Sequence, residues 1–346
     1  MKVLLTGALG YIGSAINHIL IQKSFTVIGV DAGFFTDGCF YREDMSQSRL
    51  GMQRLIRKDV RDISEDDIRG CEAVVDFAGL ANDPSCELNP TWTDEINHRA
   101  SVRLATLAKR HGVGRYIFAS SCSVYGAREH SLLTEESEVE PVSEYAKAKV
   151  AAERGIQTLR DARFCPTILR NATAFGASPR MRFDLVVNNL SAYGYTTGTV
   201  KILSDGTAWR PNIHIEDIAR AVLACLESPT DMVAGEILNA GMDSENHQVR
   251  EIASTVAAVI PESKVEIAEG AVKDPRSYKV SFAKISKLKS FHPEWSVRRG
   301  VEELTQAFAA NHLTFKTFQA ADYHNVRRMQ ELISSGKLDG TLRFSK

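Results

Sequence analysis

Short apolar runs rich in Val, Ile and Leu alternate along this chain with longer stretches whose apolar positions recur at helical spacing. Lys2–Thr6 reads as a strand, Ile12–Gln22 as a helix and Phe25–Asp31 as a second strand. Further runs at Ala73–Ala78, Tyr116–Ala119 and Thr167–Arg170 each follow a segment of helical character, and Thr91–His111, Glu144–Leu159 and Ile215–Leu226 are predicted helices. Continuously apolar strands are buried on both faces, and strands alternating with helices pair in parallel. The pattern predicts an α/β fold with a doubly wound parallel sheet. Residues 178–214 break the rhythm: the segment reads as irregular, with Pro, Gly, Asn and Arg, and is expected to be a substrate-binding loop. After about residue 311 a helical pattern returns at Ala321–Ser334, and a polar, strand-like piece follows.

Composition narrows the function classes. The 346 residues are 44% hydrophobic and 25% charged, enough for one large core or two joined domains. A net charge of −1 offers no global field to nucleic acid or to an anionic membrane, so local groups must hold any phosphate. No apolar stretch reaches the roughly 18 residues a membrane span needs. The start MKVLLTGALGYIG resembles a signal peptide only superficially, because glycines interrupt it and no small-residue cleavage site follows. Cys39, Cys71, Cys86, Cys122, Cys165 and Cys225 are scattered, without CxxC or Cys/His metal spacing. Reduced thiols, a cytoplasmic location and no metal are the expectations.

Candidate chemistry begins where the first strand ends, in Thr6-Gly7-Ala8-Leu9-Gly10-Tyr11-Ile12-Gly13. Between a strand and a helix, such a turn binds a dinucleotide. Gly7 allows the tight turn, Gly10 lets the backbone approach a pyrophosphate, and Gly13 permits close packing of helix on sheet. The helix N-terminus, beside Tyr11 and Ile12, then offers free N–H groups to the phosphates. Asp31 closes the second strand, where a carboxylate accepts from a ribose diol and repels a 2′-phosphate. Ala32 and Gly33 follow rather than Arg or Lys, which favours NAD over NADP. Asp59 and Val60 are placed to contact adenine, although Asp59 reads equally well as a solvated turn residue.

Tyr145 and Lys149, four apart in Glu144-Tyr145-Ala146-Lys147-Ala148-Lys149, share one helix face. A lysine cation ~4–5 Å from the phenol supplies roughly 3–4 kcal/mol at an effective dielectric near 20, or about 2–3 pK units. That brings a tyrosine into the range useful for taking a proton from an alcohol. Before it, SSCSVYG (residues 120–126) crowds three serines, a thiol and a tyrosine at the end of a buried strand.

Together TGALGYIG, Asp31, SSCSVYG and YAKAK resemble the extended short-chain dehydrogenase/reductases that act on nucleotide sugars. The resemblance spans roughly residues 1–310, and VVDFAGLANDP, ILRNATAFG and WRPNIHIEDIA add to it. It implies a Rossmann-like NAD-binding domain (1–170 and about 211–240), a smaller discontinuous nucleotide-sugar region (about 171–210 and 241–311) and a helical tail (312–346) of open role. By resemblance Ser121 hydrogen-bonds the reacting sugar oxygen, Tyr145 moves the proton, and Lys149 holds the nicotinamide ribose. Ala78 and Gly79 fall in the cofactor loop, where Gly79 replaces an Ala and Asp76 replaces a His of many relatives. Arg210 occupies the diphosphate-binding position, followed here by Pro211 instead of an acid. Asn171 and Asn189 match positions that contact sugar and diphosphate, and Arg276 would close over the nucleotide. For Arg180 and Arg182, sugar contact and a solvated loop compete. His98, His214 and His247 are expected to be structural or surface residues.

The family's 4,6-dehydratases carry Asp and Glu after the catalytic hydroxyl, where this chain has Cys122 and Ser123. Cys122 is then a soft acid/base touching substrate, with Ser123 beside it, or a small buried residue. The expected function is an NAD-dependent nucleotide-sugar epimerase acting at C4 through a transient keto-sugar. The alternatives are a dehydrogenase or 4-ketoreductase, an unusual dehydratase using Cys122, and a non-catalytic NAD-binding regulator. The resemblance also implies a homodimer built through Thr91–His111 and Glu144–Leu159, with neither nucleic acid nor membrane as partner.

Overall fold

A computed structural model describes residues 1–40, 51–274 and 276–345. In chain order the strands are β1 (Lys2–Thr6), β2 (Thr26–Asp31), β3 (Arg54–Arg57), β4 (Ala73–Asp76), β5 (Arg115–Ser121), β6 (Arg128–Leu133) and β7 (Cys165–Asn171). They continue with β8 (Thr173–Phe175), β9 (Thr199–Ser204), β10 (Trp209–His214), β11 (Ile237–Ala240), β12 (Asn246–Gln248), β13 (Lys264–Val272) and β14 (Tyr278–Val280). A seven-stranded sheet runs β11-β7-β5-β4-β1-β2-β3, with every neighbour parallel. The chain moves outward from β1 through β2 to β3, then crosses back to β4 and proceeds the other way. Strand order thus reverses between β1 and β4, and the crevice at the carboxyl ends there is where such sheets bind ligands.

Alternation along the strands splits the core in two. Val3, Leu5, Ala73 and Val75 face one apolar cluster, whereas Leu4, Val74, Tyr116 and Phe118 face another. A third cluster, including Phe183, Val187, Val256 and Phe308, lies under the smaller sheets β12-β10-β8 and β13-β9.

Two elements differ from expectation, and the tail takes a place that the sequence left open. The predicted helix at Thr91–His111 is divided: Pro90–Thr93, a π-helical stretch Asp94–Arg99, then Ala100–Arg110. Asn97, inside the π stretch, accepts from the Leu80 N–H (2.8 Å) and donates to its carbonyl (2.9 Å). A Cβ on Gly79 would lie 2.9 Å from the Asn97 side-chain oxygen, which gives a physical reason for glycine at that position. The segment 178–214, expected to be irregular, contains the helix Val186–Thr197, β9 and β10. Its asparagines, threonines and glycine are weak helix formers, but Val187, Leu190 and Ala192 bury a face that outweighs propensity. Finally, the tail folds back onto the main body. Met329, Leu332, Leu338 and Leu342 join the cluster of Leu4 and Val74, while Arg61 donates to the Thr341 carbonyl and Trp92 to that of Gly340.

Candidate active site

The fingerprint turn forms as its glycines require. The Gly7 N–H reaches the Val30 carbonyl at 2.9 Å, tying the turn to β2, and a Cβ on Gly13 would sit 2.0 Å from the Gly7 carbonyl oxygen. Asp31 accepts from the N–H groups of Leu9 (3.0 Å) and Gly33 (2.8 Å); burial raises its pKa while those donors oppose the rise. One slot at the switch point is lined by Gly7, Gly10, Tyr11, Ile12, Gly13, Asp31, Asp59, Val60, Ala78 and Gly79, every cofactor position expected outside the YxxxK pair. Its shape, its turn N–H groups and its diol-matching carboxylate fit a dinucleotide. Asp59 and Val60 line the slot, and the Asp59 carboxylate, 11% exposed and so not a solvated turn residue, caps the turn Val60–Asp62 and pairs with Arg61 at 2.7 Å.

A wider cleft adjoins the slot and shares Ile12, Phe77 and Gly79–Ala81 with it. Tyr145 and Lys149 line this cleft. Helix Glu144–Gln157 begins at Ser143, whose hydroxyl caps the Ala146 N–H, and so presents both residues to the end of β5. Tyr145 and Ser121 both line this cleft, and the Ser121 hydroxyl is near enough to favour the phenolate. Lys149 donates to the Ala119 carbonyl at 2.6 Å, and its Nζ stands 4.7 Å from the Phe118 ring centroid and 5.8 Å from that of Tyr145.

The expected depression of the tyrosine pKa is absent from the protein alone. Burial raises the Tyr145 pKa, outweighing the opposing influence of the nearby Ser121 hydroxyl, and burial likewise lowers the Lys149 pKa. Desolvation of the phenol is the leading cause, and the ammonium that was expected to offset it donates to a backbone carbonyl.

Neighbours in SSCSVYG point in opposite senses. Ser120, Ser121 and Ser123 line the cleft, and the Ser123 Oγ is buried without a hydrogen-bond partner. Cys122, a candidate for catalysis and substrate contact, does not line it. The 3-10 turn Cys122–Tyr125 directs this side chain, 1% exposed, into the core, where the thiol donates to the Arg170 carbonyl at 3.2 Å and burial pushes its pKa up. A thiol held there has no access to a sugar. The small-buried-cysteine reading describes its position.

The remaining substrate candidates converge. Asn171, Asn189, Arg210 and Arg276 all line the cleft. Asn171 donates to the Ser120 carbonyl (3.2 Å), and its Oδ1 is buried without a partner. Asn189 donates to the Phe183 carbonyl at 2.8 Å. Arg210 and Arg276 share Asp274, at 2.7 and 3.0 Å, and Arg276 also reaches Asp83 at 3.0 Å. Sequence reasoning missed Asp274 and Asp83, although Asp274 stands two residues before Arg276. Arg180 and Arg182 are not on a solvated loop: both are buried against the cofactor slot, and Arg182 forms a fork to Asp184 at 2.9 and 3.0 Å. His214 is buried, stacked on Trp295 at 4.1 Å and bonded to Glu303, while His98 and His247 pair with Asp94 and Glu245. Among the described residues no group of His, Cys, Asp or Glu could hold a metal ion, and no helix is long and apolar enough to cross a membrane.

A dinucleotide slot that opens at a Ser-Tyr-Lys cluster into a cleft edged by arginines defines an NAD(P)-dependent enzyme acting on a phosphorylated alcohol or ketone. The NAD dependent epimerase/dehydratase family model matches residues 3–241, and the chain belongs to that family. A UDP-glucose 4-epimerase of Corynebacterium glutamicum is 28% identical over 331 residues, covering 90% of this chain and 96% of that protein. A UDP-glucuronate 4-epimerase of Thermodesulfobacterium geofontis is 24% identical over 313 residues, covering 86% and 93%. The solved structure of MoeE5 with UDP-glucuronic acid and NAD shares the fold at a TM-score of 0.76 and 26% identity, covering 90% of this chain and 99% of that one. Family, fold class, enzyme class and NAD as cofactor are as the sequence led us to expect, and these relatives accord with an NAD-dependent nucleotide-sugar epimerase.

Proposed function

We propose that this enzyme inverts C4 of a UDP-linked hexose, with Ser121, Tyr145 and Lys149 as its catalytic residues. The observation that carries the reading is that Ser121, Tyr145 and Lys149 line one cleft that adjoins the dinucleotide slot. When bound, oxidised NAD supplies a hydride acceptor and a positive charge that favours the phenolate. Ser121 would hold the C4 oxygen, and Tyr145 would take its proton as hydride passes from C4 to the bound cofactor; once the sugar has presented its other face, Tyr145 would give the proton back to the keto oxygen as that hydride returns to C4. Lys149, at the carbonyl end of β5, positions the nicotinamide ribose. Arg210 and Arg276 grip the diphosphate by exchanging Asp274 for phosphate oxygens, so the nucleotide stays anchored while the hexose turns. The unpartnered Asn171 Oδ1 and Ser123 Oγ supply a further hydrogen-bonding edge to the sugar.

Relatives named as acting on UDP-glucose and UDP-glucuronate support the UDP sugar. The position of Cys122 weighs against dehydration, since the only thiol suggested for that role lies in the core. A homodimer through the helices Ala100–Arg110 and Glu144–Gln157, in the cytoplasm, is part of the same proposal. Incubation with UDP-glucose, UDP-galactose, UDP-glucuronate and UDP-galacturonate without added cofactor tests it. An isomer of unchanged mass, inverted at C4 by NMR, is the expected product; loss of one water, or turnover that requires added cofactor, would contradict the reading.

A further inference from the structure

The fingerprint turn TGALGYIG contains no basic side chain, yet a dinucleotide brings two negative charges to it. A cation stands close by without an acid of its own. Arg180 is 2% exposed and makes no ion pair among the described residues. Its Nη1 donates to the Met181 carbonyl, its Nη2 donates to Asn325 Oδ1 at 2.7 Å, and its Nε is buried without a partner. The guanidinium lies over the Phe35 ring, 4.6 Å from the centroid. Asp184 and Asp322 act on this guanidinium from beyond ion-pair distance, and a buried cation with no anion in contact is costly to the fold unless a ligand completes it.

The surroundings say which ligand. The segment bearing Arg180 is tied to the fingerprint: the Tyr11 hydroxyl donates to the Gly176 carbonyl (2.7 Å), and Ser178 donates to the Tyr11 carbonyl (2.9 Å) and meets Ser14 at 3.0 Å. Arg180 and Asn325 line the same slot as Gly10, Tyr11 and Ile12. Asn325 opens the tail helix Asn325–Ser334, which Arg328 fastens to Asp37 across the slot's outer wall, while Phe344 packs on Phe34 at 5.6 Å.

We infer that Arg180, held from the C-terminal tail by Asn325, is the countercation of the cofactor's diphosphate, and that residues 312–346 thereby lock the dinucleotide in place. The inference rests on NAD as cofactor and deepens the proposed function, because an enzyme that returns a hydride to the molecule it came from must keep its cofactor between the two transfers. Arg182 is already forked to Asp184, which leaves Arg180 as the cation to be neutralised.

The test uses the full-length chain and no sugar, so its outcome does not depend on which sugar is turned over. ADP, adenosine and NADH are the probes. Arg180→Met is expected to weaken ADP about ten- to a hundredfold, the worth of a lost charge-assisted hydrogen bond, and to leave adenosine within about twofold. If that chain fails to fold, Arg180→Lys carries the same comparison, with ADP weakened about several-fold and adenosine unchanged. Equal losses for ADP and adenosine, or no loss for either, would overturn the role of Arg180. Asn325→Ala is expected to speed release of NADH, followed by its fluorescence on displacement with excess NAD, by about several-fold at an unchanged melting temperature. An unchanged release rate would overturn the lock.

Discussion

The cofactor slot and the sugar cleft meet at Ile12, Phe77 and Gly79–Ala81 yet are built by different means. The slot takes much of its polarity from backbone N–H groups at a glycine turn and from the Asp31 carboxylate, close together at the ends of β1 and β2, with Arg180 and Asn325 added from farther along the chain, and its cavity is ≈ 140 Å³. The cleft, with a cavity of ≈ 490 Å³, takes its polarity from side chains more than 150 residues apart, from Ser121 to Arg276, several already bonded to one another. A fixed dipole array suits a cofactor that stays. Arginines that exchange one anion for another suit a substrate that leaves. A buried network meets the cleft at Ser120: Glu153 accepts a fork from Arg170 (3.0 and 2.7 Å) and a bond from Ser120, and Arg170 passes on to Tyr125 and Asn239.

Substitutions can separate the halves or fail to. Tyr145→Phe should lower kcat by roughly 10²–10⁴-fold, the worth of general acid–base catalysis, and leave NADH affinity unchanged; a parallel loss of NADH would mean that the halves are not independent. Glu153→Ala attacks the buried network behind the cleft. Stripping a buried guanidinium of its partner costs about 3–5 kcal/mol, and the denaturant midpoint of the variant should fall accordingly. Arg210→Met should raise KM for the nucleotide sugar about ten- to a hundredfold with little change in kcat or in NADH binding. Cys122→Ala should change turnover by less than about twofold and cost on the order of 1 kcal/mol of stability, read as a small shift in Tm, because this thiol packs in the core and touches no ligand.

The same division explains what the chain disclosed before its fold was known. Slot residues cluster within short strand–turn–helix stretches, so Gly7, Gly13 and Asp31 announce themselves through local spacing. The cleft was legible only through resemblance, since nothing local links Asn171 to Arg276. Cys122 and Ser121 are adjacent, and their divergence depends on the point where strand alternation gives way to a 3-10 turn, a one-residue matter that periodicity does not resolve. The helix Val186–Thr197 was hidden because its residues have low helix propensity and its support comes from distant packing. Arg180 and Asn325 stand 145 positions apart and meet only when the tail folds back. The Tyr145 pKa was misjudged for a related reason: spacing on a helix reveals a shared face, but not where a flexible lysine aims its charge.

Epimerisation with a retained cofactor predicts the fate of one hydrogen, and a UDP-hexose carrying deuterium at C4 follows it directly. Incubated with the enzyme and excess unlabelled NADH in solution, it should yield the C4 epimer with deuterium still at C4 and with none in the free dinucleotide. Product that has lost its deuterium to the NADH pool or to solvent would contradict a hydride removed and returned within one closed slot.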